Sequence, residues 1–184
     1  MTYRPRNRIW TPSALSASPV STADLMEHLR ISDTGETDLV AAYGLAACLY
    51  IEKFTQRLLT SRAATLLLPD LPSDDEPIEL PGGAVASITA VTADGSAVTG
   101  AVAYGDSPAI LVPSGYWPAV TGTRYPVSIT YVVGCVTLPA DLVHAVKLLV
   151  AEMYLHRSDS EDIMQSPVSL PSRALMGMHR ISPL

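Results

Sequence analysis

The sequence predicts an α+β fold: a small helical bundle with a β-rich domain inserted between its second and third main helices, an extended N-terminal arm and a C-terminal tail. Three observations predict it. Apolar residues recur at three- and four-residue steps over about 36–59 and again over 138–157, the period of an amphipathic helix. Between these stretches, from about 62 to 134, the period falls to two and the apolar runs are short, as strands require. Both ends, 1–20 and 158–184, are broken by Pro and Ser, which marks loops and extended segments.

The arm, "MTYRPRNRIWTPSALSASPV", spaces Pro5, Pro12 and Pro19 among small polar residues. The bundle takes residues 21–61 and 135–157. Its first helix opens at "STADLMEHLRI", where Ser21 and Asp24 fit a capping box: the hydroxyl accepts an orphan backbone N–H and the carboxylate sits at the positive helix end. "SDTGET" ends it. In the second helix Val40, Tyr43, Ala47, Tyr50, Ile51, Phe54 and Leu58 form one wide apolar stripe. Ala41, Ala42, Gly44, Ala46 and Ala47 are small enough to admit a close partner helix. Glu52, Lys53, Gln56 and Arg57 gather toward the other side, either as a solvated face or as a subunit contact.

The β domain spans 62–134. "ATLLLP", "PIEL", "AVASITAVTA", "GAVAYG", "AILVP" and "VSITYVVG" read as strands, with "ADG" at 93–95 and "PSG" at 113–115 as turns. Its loop "DLPSDDEPIE" holds Asp70, Asp74, Asp75, Glu76 and Glu79. Prolines interrupt it and the calcium-loop spacing is absent, so a solvated acidic loop is expected. The third helix, "LPADLVHAVKLLVAEMYLHR", starts with Pro139 in a tolerated position and Asp141 in the first turn. Leu142, Val146, Leu149 and Met153 make its stripe. The tail, 158–184, contains "LPSRALMGMHRI", a short helix with apolar residues that need somewhere to bind.

A chain of 184 residues can bury a sizeable core without staples. Apolar residues make up 48% and charged residues 16%, a globular composition with apolar surface left over for self-assembly. The net charge of −6 argues against a general nucleic-acid binder. Arg4, Arg6 and Arg8 nevertheless make the first ten residues basic, leaving the remainder more acidic still. With Trp10 they form either a solvated arm or one that contacts a partner. Cys48 and Cys135 carry no spacing signature and read as buried thiols of a reducing compartment. Neither a secretory leader nor a membrane span is visible, so a cytoplasmic site of synthesis is expected.

Enzyme chemistry finds little support. "YGDSPAI" and "DLVH" place Ser107, Asp141 and His144 in the order of a Gly-Asp-Ser esterase triad, and the pattern resembles that family. Those enzymes set the Ser after the first strand of a parallel α/β sheet, whereas Ser107 follows two helices. The family's oxyanion Asn has no counterpart, the only Asn here being Asn7 in the arm. Glu152 and His156 form an i,i+4 pair, and His28, His144 and His179 are scattered, without diagnostic metal spacing. There is no phosphate loop, no dinucleotide fingerprint and no C-x-x-C. No cofactor is expected.

The ordered set "VSTADLMEHLRI", "AACLYIEKFTQRLL", "IELPGGAVASITAV" with "PVSITYVVG", and "LPADLVHAVKLLVAEMYLHR" resembles the head–tail connector (adaptor) proteins of tailed bacteriophages and phage-like gene transfer agents. The similarity runs over about 19–157. Where that family commonly shows Thr-Gly-Arg, this chain has Thr55-Gln56-Arg57. The resemblance implies a non-enzymatic structural protein of the virion neck, made in the bacterial cytoplasm. It would form a ring, generally dodecameric, beneath the portal protein and extend the channel for double-stranded DNA, with no sequence-specific binding. The ring would offer a platform to a stopper or tail protein. Glu52, Lys53, Gln56 and Arg57 would lie between subunits, and Arg4, Arg6, Arg8 and Trp10 would touch a partner. The family's C-terminal segment commonly docks on the portal, which assigns that role to Val168, Leu170, Leu175, Met176, Met178 and Ile181. Another neck or tail-completion protein, or the esterase, stays as the alternative.

Overall fold

The structure, a computed structural model, describes residues 2–5, 7–73, 75–106, 108–122, 124–156 and 170–181. Its contacts divide the chain into a β unit, Met1–Ala14 with Thr60–Val136 and Ile181–Leu184, and a helical unit, Leu15–Leu59 with Thr137–Arg180. The α+β organisation is the one the two periodicities predict.

The β unit holds eight strands among the described residues: β1 (Ile9–Pro12), β2 (Arg62–Leu68), β3 (Ile78–Leu80), β4 (Val85–Ala93), β5 (Ser96–Ala97), β6 (Val102–Tyr104), β7 (Ala109–Val112) and β8 (Val127–Val133). An antiparallel five-stranded sheet runs β1-β2-β8-β4-β5, and a three-stranded sheet runs β3-β7-β6. Register follows the apolar alternation. Ala64, Leu66 and Leu68 of β2 lie opposite Tyr131, Ile129 and Val127 of β8, and all six are buried. A slip of one residue would turn each set to the other face. In β4 the alternation fails over its first half because the register against β8 shifts twice, between Val85 and Ser87 and between Ile88 and Ala90, as bulges do. The expected turn is an Asp-Gly hairpin with φ of 48° at Asp94 and 78° at Gly95. The Asp94 carboxylate then accepts the N–H groups of Thr121 (2.7 Å) and Gly122 (3.0 Å), tying down a distant loop.

The first half of the arm belongs to this unit. β1 pairs with β2, Trp10 opposite Leu66, and Tyr3 makes a parallel bridge to Ile78. Prolines at both ends of this stretch suit an edge, where one side of the backbone needs no ladder partner.

The helical unit consists of α1 (Thr22–Leu29), a 3-10 turn (Thr34–Glu36), α2 (Thr37–Thr55), α3 (Ala140–Leu155) and α4 (Leu170–Gly177). Ser21 Oγ accepts the Asp24 N–H at 3.1 Å, the capping contact expected from sequence. The second helix stops at Thr55, short of the expected 59. Thr55 Oγ1 donates back to the Ile51 carbonyl (2.8 Å) and Gln56 turns into the left-handed region at φ 59°. The core joins Leu25, Val40, Ala47, Cys48, Ile51, Leu142, Val146, Leu149, Val150 and Met176, each large aliphatic contributing about 1.5–3 kcal/mol by burial. Gly44 marks the closest approach: a Cβ there would stand 2.7 Å from Leu25 Cδ1 and 3.3 Å from Ser18 Cβ. Among the described residues no helix is long and apolar enough to cross a membrane.

Candidate functional site

Asp141 stands in the first turn of α3. Its Oδ1 accepts the Leu142 N–H at 3.0 Å, and its Oδ2 meets His179 Nε2 at 2.5 Å. The His179 contact, aided by the backbone N–H, holds the Asp141 carboxyl below its ordinary pKa despite some burial. His144, one turn along, is exposed and meets the His28 ring edge-on with centroids 6.4 Å apart. Burial, then Lys147 and His144, lower the His28 pKa. Of the D-x-x-H pair, Asp141 therefore engages His179 and His144 engages His28. Ser107 lies outside the described residues.

Among the described residues no three His, Cys, Asp or Glu side chains gather as a metal site. Glu152 and His156 share an ordinary helical bond, the His156 N–H donating to the Glu152 carbonyl at 3.0 Å. The acidic loop departs from expectation at Glu79. This residue lies in β3 with its side chain 5% exposed, 3.4 Å from Arg8 and 3.6 Å from Arg4. Strand position buries it, and the two guanidinium groups answer its charge. Asp74 falls outside the described residues.

The predicted arm residues thus sit in the β unit. Arg4 and Arg8 flank Glu79, Trp10 is half-buried in β1, and Arg6 is outside the described residues. Gly82, at φ 104°, leaves room for the Trp10 ring, since a Cβ there would be 3.0 Å from Cζ2.

The predicted interface set divides by orientation. Lys53 and Gln56 are exposed, and Gln56 Nε2 donates to the Lys53 carbonyl at 2.7 Å. Glu52 is buried and accepts the Leu59 N–H at 2.9 Å, closing the turn after α2. Arg57 is half-buried, its Nε donating to the His179 carbonyl at 2.8 Å.

The tail residues are equally mixed. Met176 is fully buried in the helical core and Leu175 packs against it. Met178 is 70% exposed and Ile181 is buried. Leu170 opens α4, and Val168 lies outside the described residues. The segment after α4 is fastened three times within the helical unit. His179 binds Asp141, its carbonyl takes Arg57, and the Arg180 guanidinium lies 5.7 Å from the Phe54 ring centroid. Sequence reading missed the Asp141–His179 pair, because two residues 38 apart carry no local signal of contact.

No family profile matches the chain, and no curated protein matches it. Solved structures do. The chain is similar to one in the neck of an empty gene transfer agent particle computed with C6 symmetry (TM-score 0.76, 26% identity), covering 96% of this chain and 97% of that one. A chain in the virion of the native gene transfer agent particle matches with TM-score 0.75 and 26% identity, over 96% and 97% of the two chains. One in the neck of the native particle computed with C12 symmetry matches with TM-score 0.71 and 27% identity, over 94% and 96%.

The likeness spans both units and nearly every residue, so it concerns the whole architecture. It sets this chain beside the structural proteins of a phage-like virion neck. Within that class the chain is similar to a head–tail connector, and the likeness supports a place at the head–tail interface of a virion.

Proposed function

We propose that the protein is a head–tail adaptor that forms a ring, of twelve copies, beneath a portal protein. The ring extends the channel for double-stranded DNA and offers its far side to a stopper or tail protein. The observation that carries this reading is the match to neck assemblies of C6 and C12 symmetry over almost the entire chain. A composition poor in charge, 16% Asp, Glu, Lys and Arg, supports burial of further surface between copies.

The mechanism is assembly. Ring closure buries apolar surface between subunits. The C-terminal segment, with Met178 exposed beside the buried Met176, docks on the portal, and the arm residues Arg4, Arg6, Arg8 and Trp10 lie against a neighbouring neck component. A pI near 5.1 suits a conduit, because a wall that held phosphate tightly would slow DNA passage.

The test is co-purification with the portal protein encoded beside it, followed by electron microscopy. A ring of adaptor with an axial channel under the portal is expected. Failure to bind the portal, together with no ring at any concentration, overturns the reading. Met178→Glu, at a position 70% exposed, is expected to weaken portal binding while the fold is kept, whereas removal of residues 160–184 would also strip Met176 from the helical core.

A further inference from the structure

We propose that the outward stripe of α2 is the seam of this ring and packs against α3 of a second copy of the chain; the inference rests on the ring reading above. From Leu39 onward the exposed residues of α2 and its cap are Leu39, Ala42, Ala46, Leu49, Lys53 and Gln56. They step by three, four, three, four and three residues. That alternation of three and four is the spacing of a helix–helix seam with a left-handed crossing.

A solvated helix face is polar, and this one is not. Between Asp38 and Lys53 the stripe carries no charge, and Leu39 and Leu49 are 36% and 40% exposed. The two alanines between them let a second helix come close. Alongside runs a groove of about 360 Å³ with Ala41, Ala42 and Leu45 on one side and the irregular segment from Ser16 to Ser21 on the other, room for a protruding apolar side chain.

Such a side chain stands on α3. His144, Leu148, Ala151 and Leu155 step by four, three and four, and Leu155 is 75% exposed at the helix end. A closed ring needs two different patches on each copy, one to give and one to receive. The small-centred stripe of α2 and the Leu-ended stripe of α3 form such a pair. A second copy is the occupant because the similar chains come from assemblies of C6 and C12 symmetry. Lys53 and Gln56 then form a polar rim at one end of the seam, as interfaces commonly have. Glu52 and Arg57, turned into their own subunit, stay out of it.

The experiment compares the wild-type chain with Leu39→Glu/Leu49→Glu and with Ala46→Arg, alone and with the portal protein, by sedimentation and electron microscopy. All three substituted side chains are exposed, and circular dichroism checks that each variant keeps its fold. Both variants are expected to associate at least roughly tenfold more weakly than wild type. Variants that assemble like the wild type overturn the seam while leaving the ring. A wild type that stays monomeric under both conditions overturns ring and seam together. Disulfide trapping in a Cys135→Ser background fixes the pairing, since Cys135 is half-buried and the other native thiol, Cys48, is buried: Ala46→Cys with Ala151→Cys is expected to give a ladder of multimers, and Ala46→Cys alone only monomer. Dimers from Ala46→Cys alone indicate α2 against α2 and overturn the α2–α3 seam.

Discussion

Asp141 Oδ2 and His179 Nε2 stand 2.5 Å apart, joining the first turn of α3 to the segment that follows α4. The carboxylate thus serves both its own helix end and the fastening of the C-terminal segment. His179→Ala is expected to return the Asp141 titration toward its ordinary value near 3.8, followed by NMR of the carboxyl carbon. A carboxyl depressed in the folded state adds stability above its unfolded pKa and loses it as pH falls through the folded one. The stability gap between wild type and His179→Ala is therefore expected to be present above that ordinary value and to close below it. A gap that widens on acidification contradicts the assignment.

Burial raises the Cys48 thiol to about 11, partly offset by Ser18 and reinforced by Glu52. At neutral pH the group is a thiol and unreactive. Cys135 is half-buried, two residues past the end of β8. Iodoacetamide is expected to label Cys135 in the folded protein and Cys48 only after unfolding. Peptide mass spectrometry reads the order, and Cys48 labelling first would be the wrong result.

Glu52→Ala leaves the Leu59 N–H buried without its acceptor, 2.9 Å away in the native chain. A loss of about 1–3 kcal/mol in denaturant unfolding is expected. Glu52→Gln keeps an acceptor oxygen and is expected to lose less; equal losses would mean the charge, not the acceptor, matters.

Glu79→Ala removes the carboxylate between Arg4 and Arg8. Since Arg8 is only 16% exposed, roughly 2–4 kcal/mol of stability is expected to go with it. Limited proteolysis is expected to cut within residues 2–8 sooner than in wild type. An arm equally resistant in both would show that strand pairing alone holds it.

Gly44→Val places side-chain atoms where even a Cβ lies 2.7 Å from Leu25. Overpacking of this kind costs about 1–3 kcal/mol, read as a lower urea midpoint.

The elements with strong local signals were legible in the sequence. "VSITYVVG" became a strand because its alternation over five or more residues has one reading, and "ATLLLP" because a short apolar run before a proline suits a strand better than a helix. Ser21 capped its helix and Asp94-Gly95 made its turn because those residues act on neighbours within three positions. The misses share a different cause. β1 has four residues, none of them fully buried, and lies at a sheet edge, too short a run for its period to register in the sequence. Glu79 read as a loop acid because its partner Arg8 is 71 residues away. The four residues gathered at the end of α2 divide into two pairs, Lys53 and Gln56 exposed, Glu52 and Arg57 turned inward, because Glu52 lies on the buried side of the helix and the left-handed Gln56 redirects the chain that carries Arg57.

The register of β2 and β8 has a consequence for how the chain folds. Arg62 lies opposite Val133, so the excursion of more than seventy residues between α2 and α3 leaves and returns across one ladder rung, about 5 Å wide. Once those two strands have zipped, the long excursion counts as a short hairpin, and the closure entropy that α3 must overcome to find α2 shrinks accordingly. With β2 paired to β8, the effective connection from Thr55 to Ala140 is the two short flanks, 56–61 and 134–139, and no longer the whole insertion.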